Sequence, residues 1–129
     1  MLRLKRNVRV KDVIVLPNGK LLKVDFDVES NRFALVRAQT EAIRCATEWN
    51  KDPDDAAKQE AFTIAYSKVV QLVLTPAGYD IALDAYDGHV DELCGQLDGW
   101  IASEVMPKIE EASRRYAERL ERLDKKYNR

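Results

Sequence analysis

The feature that most constrains this fold is a pair of short apolar segments joined by a turn, between Val13 and Val28. In the second segment, one face holds Leu22, Val24, Phe26 and Val28, and the other holds Lys23, Asp25 and Asp27. This strict alternation predicts a β-strand with one wet face. The sequence Pro17-Asn18-Gly19 suits either a type I turn followed by a glycine bulge or a two-residue Asn-Gly turn. An isolated hairpin is marginally stable, so this one must lie on other elements, pair its edges with another chain, or both.

The remaining hundred or so residues are predicted to be almost entirely helical. Apolar residues at helical spacing indicate helices over about 30–50, 52–74, 75–87 and 89–128. Ser30 is a suitable N-cap for the first helix, and Asp52-Pro53 and Thr75-Pro76 are cap-then-proline signals for the next two. Pro107 interrupts the last helix, where it removes a backbone donor and clashes with the carbonyl of Ser103. We therefore expect a kink or a break near Pro107.

These elements predict a mainly α fold, formally α+β, with an N-terminal β-hairpin and a bundle of about four helices. At 129 residues the chain is long enough for one core and needs no second domain. We divide the domain into an arm and hairpin (1–28), a helical core (30–106) and a charged C-terminal helix (107–129). The arm has two interpretations, since the alternating residues Leu2, Leu4, Val8 and Val10 could extend the first strand or remain loose.

Charge is distributed unevenly along the chain. Residues 1–11 hold five basic residues and no acid, and residues 108–129 hold eight basic and five acidic residues. Residues 12–107 hold 8 basic and 17 acidic residues, a net charge of −9. Basic ends of this kind bind phosphate backbones, or they pair with the acidic body of a neighbouring copy. The sequence leaves both interpretations open.

The C-terminal helix is too long to be covered by a compact core. The part after Pro107 spans roughly 33 Å at 1.5 Å per residue, whereas a compact chain of this size has a radius of gyration of roughly 14 Å. Its end should overhang the core and leave four residues on one face for a partner: Tyr116, Leu120, Leu123 and Tyr127. The alternative is a frayed, charged end that is merely solvated.

Composition favours a folded protein of the cytoplasm. Hydrophobic residues make up 46% and charged residues 33%, which lies far from the composition of disordered chains. No secretory signal is recognisable, and the longest uncharged stretch, 69–79, is too short to cross a bilayer. Cys45 and Cys94 are therefore expected to be free thiols, and neither has the second ligand that a zinc site needs.

Motifs for catalysis fail at the required spacing. Gly19-Lys20 lacks the flanking glycine and hydroxyl residue of a phosphate-binding loop, and the acidic residues after Asp84 do not match a calcium loop. His89 is the only histidine, so a two-histidine metal centre cannot be built within one chain unless other ligands substitute, and we interpret His89 as a surface or helix-start residue. We therefore predict no enzymatic activity, no catalytic residue, no cofactor or metal, and no small-molecule substrate.

The order of elements resembles that of the small tail assembly chaperones of long-tailed bacteriophages. The resemblance lies in a short apolar strand, an Asn-Gly-Lys turn and an alternating strand ending in Phe26-Asp27, followed by helices only. It implies a non-enzymatic oligomer that coats the long helical tape measure protein during tail assembly and leaves before the virion is complete. The strongly basic last helix departs from that pattern.

Two classes of function follow as hypotheses. The first is a phage tail assembly chaperone that forms a homo-oligomer and binds a tape measure protein. Its partner-binding residues are predicted to be Leu22, Val24, Phe26, Tyr116, Leu120, Leu123 and Tyr127. The second is a small nucleic-acid-binding or regulatory protein that uses the basic ends, although the acidic body and a pI near 5.9 make nucleic acid the weaker candidate.

Overall fold

A computed structural model describes residues 1–128, and residue 129, the last of the predicted C-terminal segment, lies outside the described residues. The strands are β1 (Arg9–Val15) and β2 (Leu21–Asp27), which form one antiparallel hairpin. They are followed by α1 (Arg32–Lys51) and α2 (Ala56–Ala85). The last helix, α3, runs from Val90–Trp100 through a π-helical turn at Ile101–Val105 into Met106–Tyr127. The predicted fold class, mainly helical with an N-terminal hairpin, is confirmed.

The hairpin turn adopts the first of the two predicted geometries. The N–H of Gly19 donates to the carbonyl of Leu16 at 2.9 Å, which closes a turn centred on Pro17 and Asn18. Gly19 has a φ of 82°, where a residue with a Cβ would be strained. The N–H of Leu16 then donates to the carbonyl of Lys20 at 2.9 Å. This is a type I turn followed by a glycine bulge.

The hairpin is held against the helices by its apolar face. Leu22, Val24, Phe26 and Val28 are all buried, and they share one core with Leu35 of α1, Val70 and Val73 of α2, and Leu93, Val105 and Ile109 of α3. Apolar surface stabilises the folded state by about 25 cal/mol for each Å² that is buried, so this face contributes a large part of the stability of the fold. The hairpin therefore lies on the helices, which is the first of the two ways in which we expected it to be stabilised.

The described residues contain three helices, so the predicted count of about four was wrong. The predicted second and third helices form one kinked helix, α2. Thr75 has a φ of 65° and a ψ of 160°, and helical geometry resumes at Pro76 without a linker. The Oγ1 atom of Thr75 accepts the N–H of Gly78 at 3.4 Å and caps the second half. A β-branched residue in this region is strained, typically by about 1–3 kcal/mol.

The predicted helix starts were also displaced. Asp55, rather than Asp52, caps α2, with its Oδ1 atom accepting the N–H groups of Ala57 at 2.9 Å and Lys58 at 3.2 Å. The N-cap of α1 is Asn31, not Ser30, and its side-chain amide donates back to the carbonyl of Asp27 at 2.8 Å. Asn31 therefore fastens the end of β2 to the start of α1.

Pro107 neither breaks nor ends the last helix. Residues Ile101–Val105 form the π-helical turn, which ends just before Met106 and Pro107. In this turn the N–H of Met106 donates to the carbonyl of Ile101, five residues back. This wider turn relieves the conflict between the proline ring and the carbonyl of Ser103. We predicted a kink or a break near Pro107, and the structure has a π-helical turn there within a continuous helix.

A carboxylate of β1 ties the hairpin to α3. The indole Nε1–H of Trp100 donates to Oδ2 of Asp12 at 2.8 Å, and the backbone N–H of Val13 donates to Oδ1 at 2.7 Å. The bond from Trp100, and then that from Val13, holds the pKa of Asp12 below its ordinary value. Because the folded-state pKa is lowered, this contribution to stability is fully present above the unfolded pKa and is lost as pH falls through the folded one.

We expect Asp12→Asn to lower the melting temperature near neutral pH, and we expect this difference to shrink as pH falls below the ordinary carboxyl pKa and through the lowered folded-state pKa, because protonation removes the charge that asparagine lacks. Thermal unfolding across this pH range measures the difference between the variant and the unchanged chain. Asp84→Asn is the control, because that exposed carboxylate makes no side-chain hydrogen bond among the described residues. An equal difference at both ends of the pH range would contradict the assignment.

Candidate partner-binding surface

The two basic ends of the chain meet at one place in the fold. The N-terminal arm, the start of α1 and the outer half of α3 enclose a cleft of about 530 Å³, which we call the basic cleft. Its cations are Arg3, Lys5, Arg32, Arg114, Arg115, Arg119 and Arg122, and its acids are Glu29, Glu111 and Glu118. The cleft therefore carries a net charge of +4 on a chain whose net charge is −1.

Arg32 and two aromatic rings form the floor of the basic cleft. The guanidinium carbon of Arg32 lies 3.9 Å from the ring centroid of Tyr116 and 4.3 Å from that of Phe33. The two rings meet edge to face at 5.7 Å. The Nη2 atom of Arg32 is buried without a hydrogen-bond partner among the described residues. The rings thus hold this charge by cation–π contact rather than by an ion pair.

Glu29 and Arg115 fasten the arm to the rest of the cleft. One carboxylate oxygen of Glu29 accepts the N–H of Val8 at 2.7 Å and contacts Nη1 of Arg115 at 2.9 Å. Arg115 also donates to the carbonyl of Arg6 at 3.3 Å. These two side chains are occupied in maintaining the structure, so they are not the ones left for a partner.

Five cations of the basic cleft have no ion pair among residues 1–128. Arg32 is held by the two rings, and the other four are Arg3, Lys5, Arg119 and Arg122. Arg114, in contrast, pairs with Glu118 at 3.0 Å along the helix. The four cations lie on two separate segments, two on the arm and two on α3, so an acidic group between the segments could contact both.

Beyond the cleft, the end of α3 extends past the core. Every residue from 117 to 128 is exposed, and helical structure continues to Tyr127. Leu120 and Leu123 are 48% and 45% exposed, and Tyr127 is 71% exposed. Together with half-buried Tyr116, these residues follow a spacing of four, three and four, which places them on one face of the helix. The expected overhang is present, and it is helical rather than frayed.

The seven predicted partner-binding residues fall into two groups. Tyr116, Leu120, Leu123 and Tyr127 lie together in the cleft and on the helix end that continues from it. The side chains of Leu22, Val24 and Phe26 are buried in the core of their own chain. These three side chains therefore belong to the core and are not exposed for a partner helix, and the surface described above does not include them.

Sequence reasoning missed Arg32, Phe33 and Glu29 as members of this surface. Phe33 fitted the apolar stripe of α1, but it is 71% exposed and faces Tyr116 of α3. The only available signal was the adjacent Arg32-Phe33 pair at the start of a helix, which is too common to single out. Their role depends on α3 passing beside α1, and no local pattern specifies that crossing.

Reactive groups are not gathered into a site within the described part of the chain. No group of three or more His, Cys, Asp or Glu residues there could hold a metal ion. Both cysteines are free and buried, as expected, and burial with the nearby charge of Asp91 raises the pKa of Cys94 to about 11. Cys94 is thus a protonated thiol at neutral pH. None of the helices formed by residues 1–128 is both long and apolar enough to span a bilayer.

No protein-family model, curated protein or solved structure matches this chain. The basic cleft and the exposed end of α3 are therefore the features from which a function is inferred.

Proposed function

We propose that this protein is a non-enzymatic assembly chaperone that binds a helical protein partner in the cytoplasm. The observation that carries the proposal is the continuity of two unsatisfied surfaces. The exposed apolar face of Leu120, Leu123 and Tyr127 leads into a cleft that has five cations without ion pairs. A single chain satisfies neither surface, and both point to binding by contact rather than to a reaction.

The spacing on α3 favours a helix as the bound element. Apolar residues separated by four, three and four positions form one face of a helix. Such a face packs against another helix through ridges and grooves, as in helix-in-groove recognition. The exposed part, residues 117–127, is about 16 Å long, or three turns. It can contact a partner helix of similar length, and the flanking arginines select acidic side chains on that helix.

The candidate partner comes from the resemblance of the hairpin and the helical remainder to phage tail assembly chaperones. That resemblance suggests the tape measure protein, a long helical chain that must be kept from aggregating before a tail is complete. An acidic amphipathic segment of such a protein would satisfy both the apolar face and the cations. Oligomers of the chaperone would present several such surfaces along one tape measure chain.

Co-expression with the tape measure protein encoded in the same genome tests this function. We expect the two proteins to co-purify, and the soluble yield of the tape measure protein to rise several-fold over expression alone. A chain shortened to end at residue 116 is the matched control, because residues 117–128 have no buried side chain and their loss should leave the core intact. Failure to co-purify, or equal binding by the shortened chain, would sink the proposal.

Nucleic-acid binding is the second candidate, because the cleft combines six arginines with two aromatic rings. Arginine contacts phosphates with two parallel bonds, and exposed rings such as Phe33 stack on unpaired bases. Glu29, Glu111 and Glu118 in the same cleft oppose a polyanion, and the leucines of α3 have no role in phosphate binding. Titrating a single-stranded oligonucleotide at several salt concentrations separates the two, since phosphate binding weakens steeply as salt rises.

A further inference from the structure

We propose that the free edge of β2 pairs with β2 of a second copy, antiparallel and centred on Val24, to give a twofold dimer with a four-stranded sheet. This inference goes beyond the proposed function and does not depend on it. It rests on an asymmetry between the two edges of the hairpin, on the open space beside one of them, and on the sequence of β2.

The edge of β1 is blocked by its own side chains. Asp12 bonds the backbone N–H of Val13 through Oδ1, and Trp100 covers its other carboxylate oxygen. Val13 lies opposite Lys23, in a pair whose backbone groups face away from the hairpin, so this N–H would otherwise be free for another strand. An inward-pointing charge on an edge strand is a known device against pairing. β1 is therefore unsuited to accept a further strand.

The edge of β2 is blocked by a side chain only at its end, where the side-chain amide of Asn31 donates to the carbonyl of Asp27 at 2.8 Å. The N–H of Val28 donates to the carbonyl of Val8, and the N–H of Leu16 donates to the carbonyl of Lys20. Because this pattern alternates along the strands, the even-numbered residues of β2 turn their N–H and C=O groups toward β1. The odd-numbered residues Leu21, Lys23 and Asp25 turn their N–H and C=O groups outward, and among the described residues no side chain bonds them. A groove of about 1160 Å³ between α1 and α2 borders this edge at its end, at Asp25, Phe26 and Asp27. Open space thus lies beside the end of β2, where the outward backbone groups of Asp25 are unpaired.

The sequence of β2 is complementary to itself when reversed about Val24. In that register Lys23 lies opposite Asp25 of the second copy, and Asp25 lies opposite Lys23, so two opposite-charge pairs form on the outer face. On the inner face Leu22 lies opposite Phe26 of the second copy, and the two Val24 residues face each other. The outward backbone groups also match, because Lys23 and Asp25 form the hydrogen-bonded pairs and Val24 the non-hydrogen-bonded one.

The two neighbouring symmetric registers that use the same hydrogen-bonding groups each bring one pair of like charges together, which the register centred on Val24 avoids. Centring the pair on Lys23 places two lysines opposite each other. Centring it on Asp25 places two aspartates opposite each other, although Lys23 then lies opposite Asp27. Lys23 has no ion pair among residues 1–128, since its neighbour on β1 is Val13. Asp25 already contacts Arg9 at 2.8 Å, but a carboxylate can accept a second donor. Charge therefore favours a second copy, in one register, as the occupant of this edge.

Disulfide trapping of the full chain tests the register. In a non-hydrogen-bonded pair the Cα atoms are about 4.5 Å apart, within the range that a disulfide spans. We expect Val24→Cys to form a covalent dimer on mild oxidation. Leu22→Cys is the matched control, because its two copies would lie four residues out of register, at least about 13 Å apart. The unchanged chain, oxidised in parallel, accounts for Cys45 and Cys94.

Sedimentation provides the second measurement. We expect the unchanged chain to dimerise and Lys23→Asp to raise the dimer dissociation constant about tenfold or more, because two attractive cross-strand pairs become repulsive. Lys20→Asp, a turn residue outside β2, should leave that constant nearly unchanged. A monomer at high concentration would overturn the proposal. So would a dimer that Val24→Cys does not trap, one that Leu22→Cys traps equally well, or one that Lys23→Asp does not weaken.

Discussion

Leu22→Ala is expected to lower the free energy of unfolding by about 2–4 kcal/mol, which is typical when a buried leucine is truncated in a packed core. Leu22 is 7% exposed, and it packs from β2 into the core formed by all three helices. Truncation removes apolar surface and leaves a cavity that the strand cannot fill by moving, since its register is fixed by β1. Chemical denaturation followed by circular dichroism measures the change.

Leu21→Ala provides the matched control for this prediction. The two leucines are adjacent, yet Leu21 is 65% exposed because successive side chains of a strand point to opposite faces. We expect Leu21→Ala to change the free energy of unfolding by no more than about 0.5 kcal/mol. Equal effects of the two substitutions would mean that the hairpin does not pack on the helices as described.

The double substitution Arg119→Glu with Arg122→Glu is expected to weaken partner binding by about 100-fold or more. Neither arginine has an ion pair among residues 1–128, and both line the basic cleft beside the exposed face of α3. Reversing two charges replaces attraction to an acidic helix by repulsion, and like charges at an interface cost several kcal/mol. Calorimetric titration of the purified chain with the proposed partner, the tape measure protein, measures the loss.

Arg37→Glu with Arg44→Glu makes the same change in net charge on α1, outside the basic cleft. It controls for a general loss of positive charge, and we expect it to alter the affinity by less than about threefold, because screening at physiological salt limits charge effects to roughly 8 Å. Melting temperatures of both variants establish that they remain folded. Equal losses of affinity would indicate a non-specific electrostatic effect, and no loss in either would exclude the cleft.

The parts of the fold that were predictable are those that local sequence determines. The alternation of Leu22, Val24 and Phe26 specifies a strand with one buried face, and Pro17-Asn18-Gly19 specifies its turn. The helix end was also predictable, since its length exceeds what a core of this size can cover. The apolar spacing of Tyr116 and Leu120 placed half of the candidate surface correctly on one helix face.

What could not be predicted depends on contacts between distant segments. Thr75-Pro76 is a normal signal for a new helix, and only packing on both sides of the kink makes it the strained middle of α2. Phe33 follows an apolar helical pattern, but the crossing of α3 leaves it exposed beside Arg32 and Tyr116. The two basic ends could be counted from the sequence, whereas their meeting in one cleft required the fold.

Hydrogen exchange with and without the proposed partner, the tape measure protein, tests whether the basic cleft and the end of α3 bind it. In the free chain the amides of residues 117–127 lie in an exposed helix end without tertiary cover, so they should exchange fastest among the helices. We expect binding to slow exchange in residues 117–127 and in the arm at residues 3–7. Protection confined to other elements, or no protection at all, would contradict it.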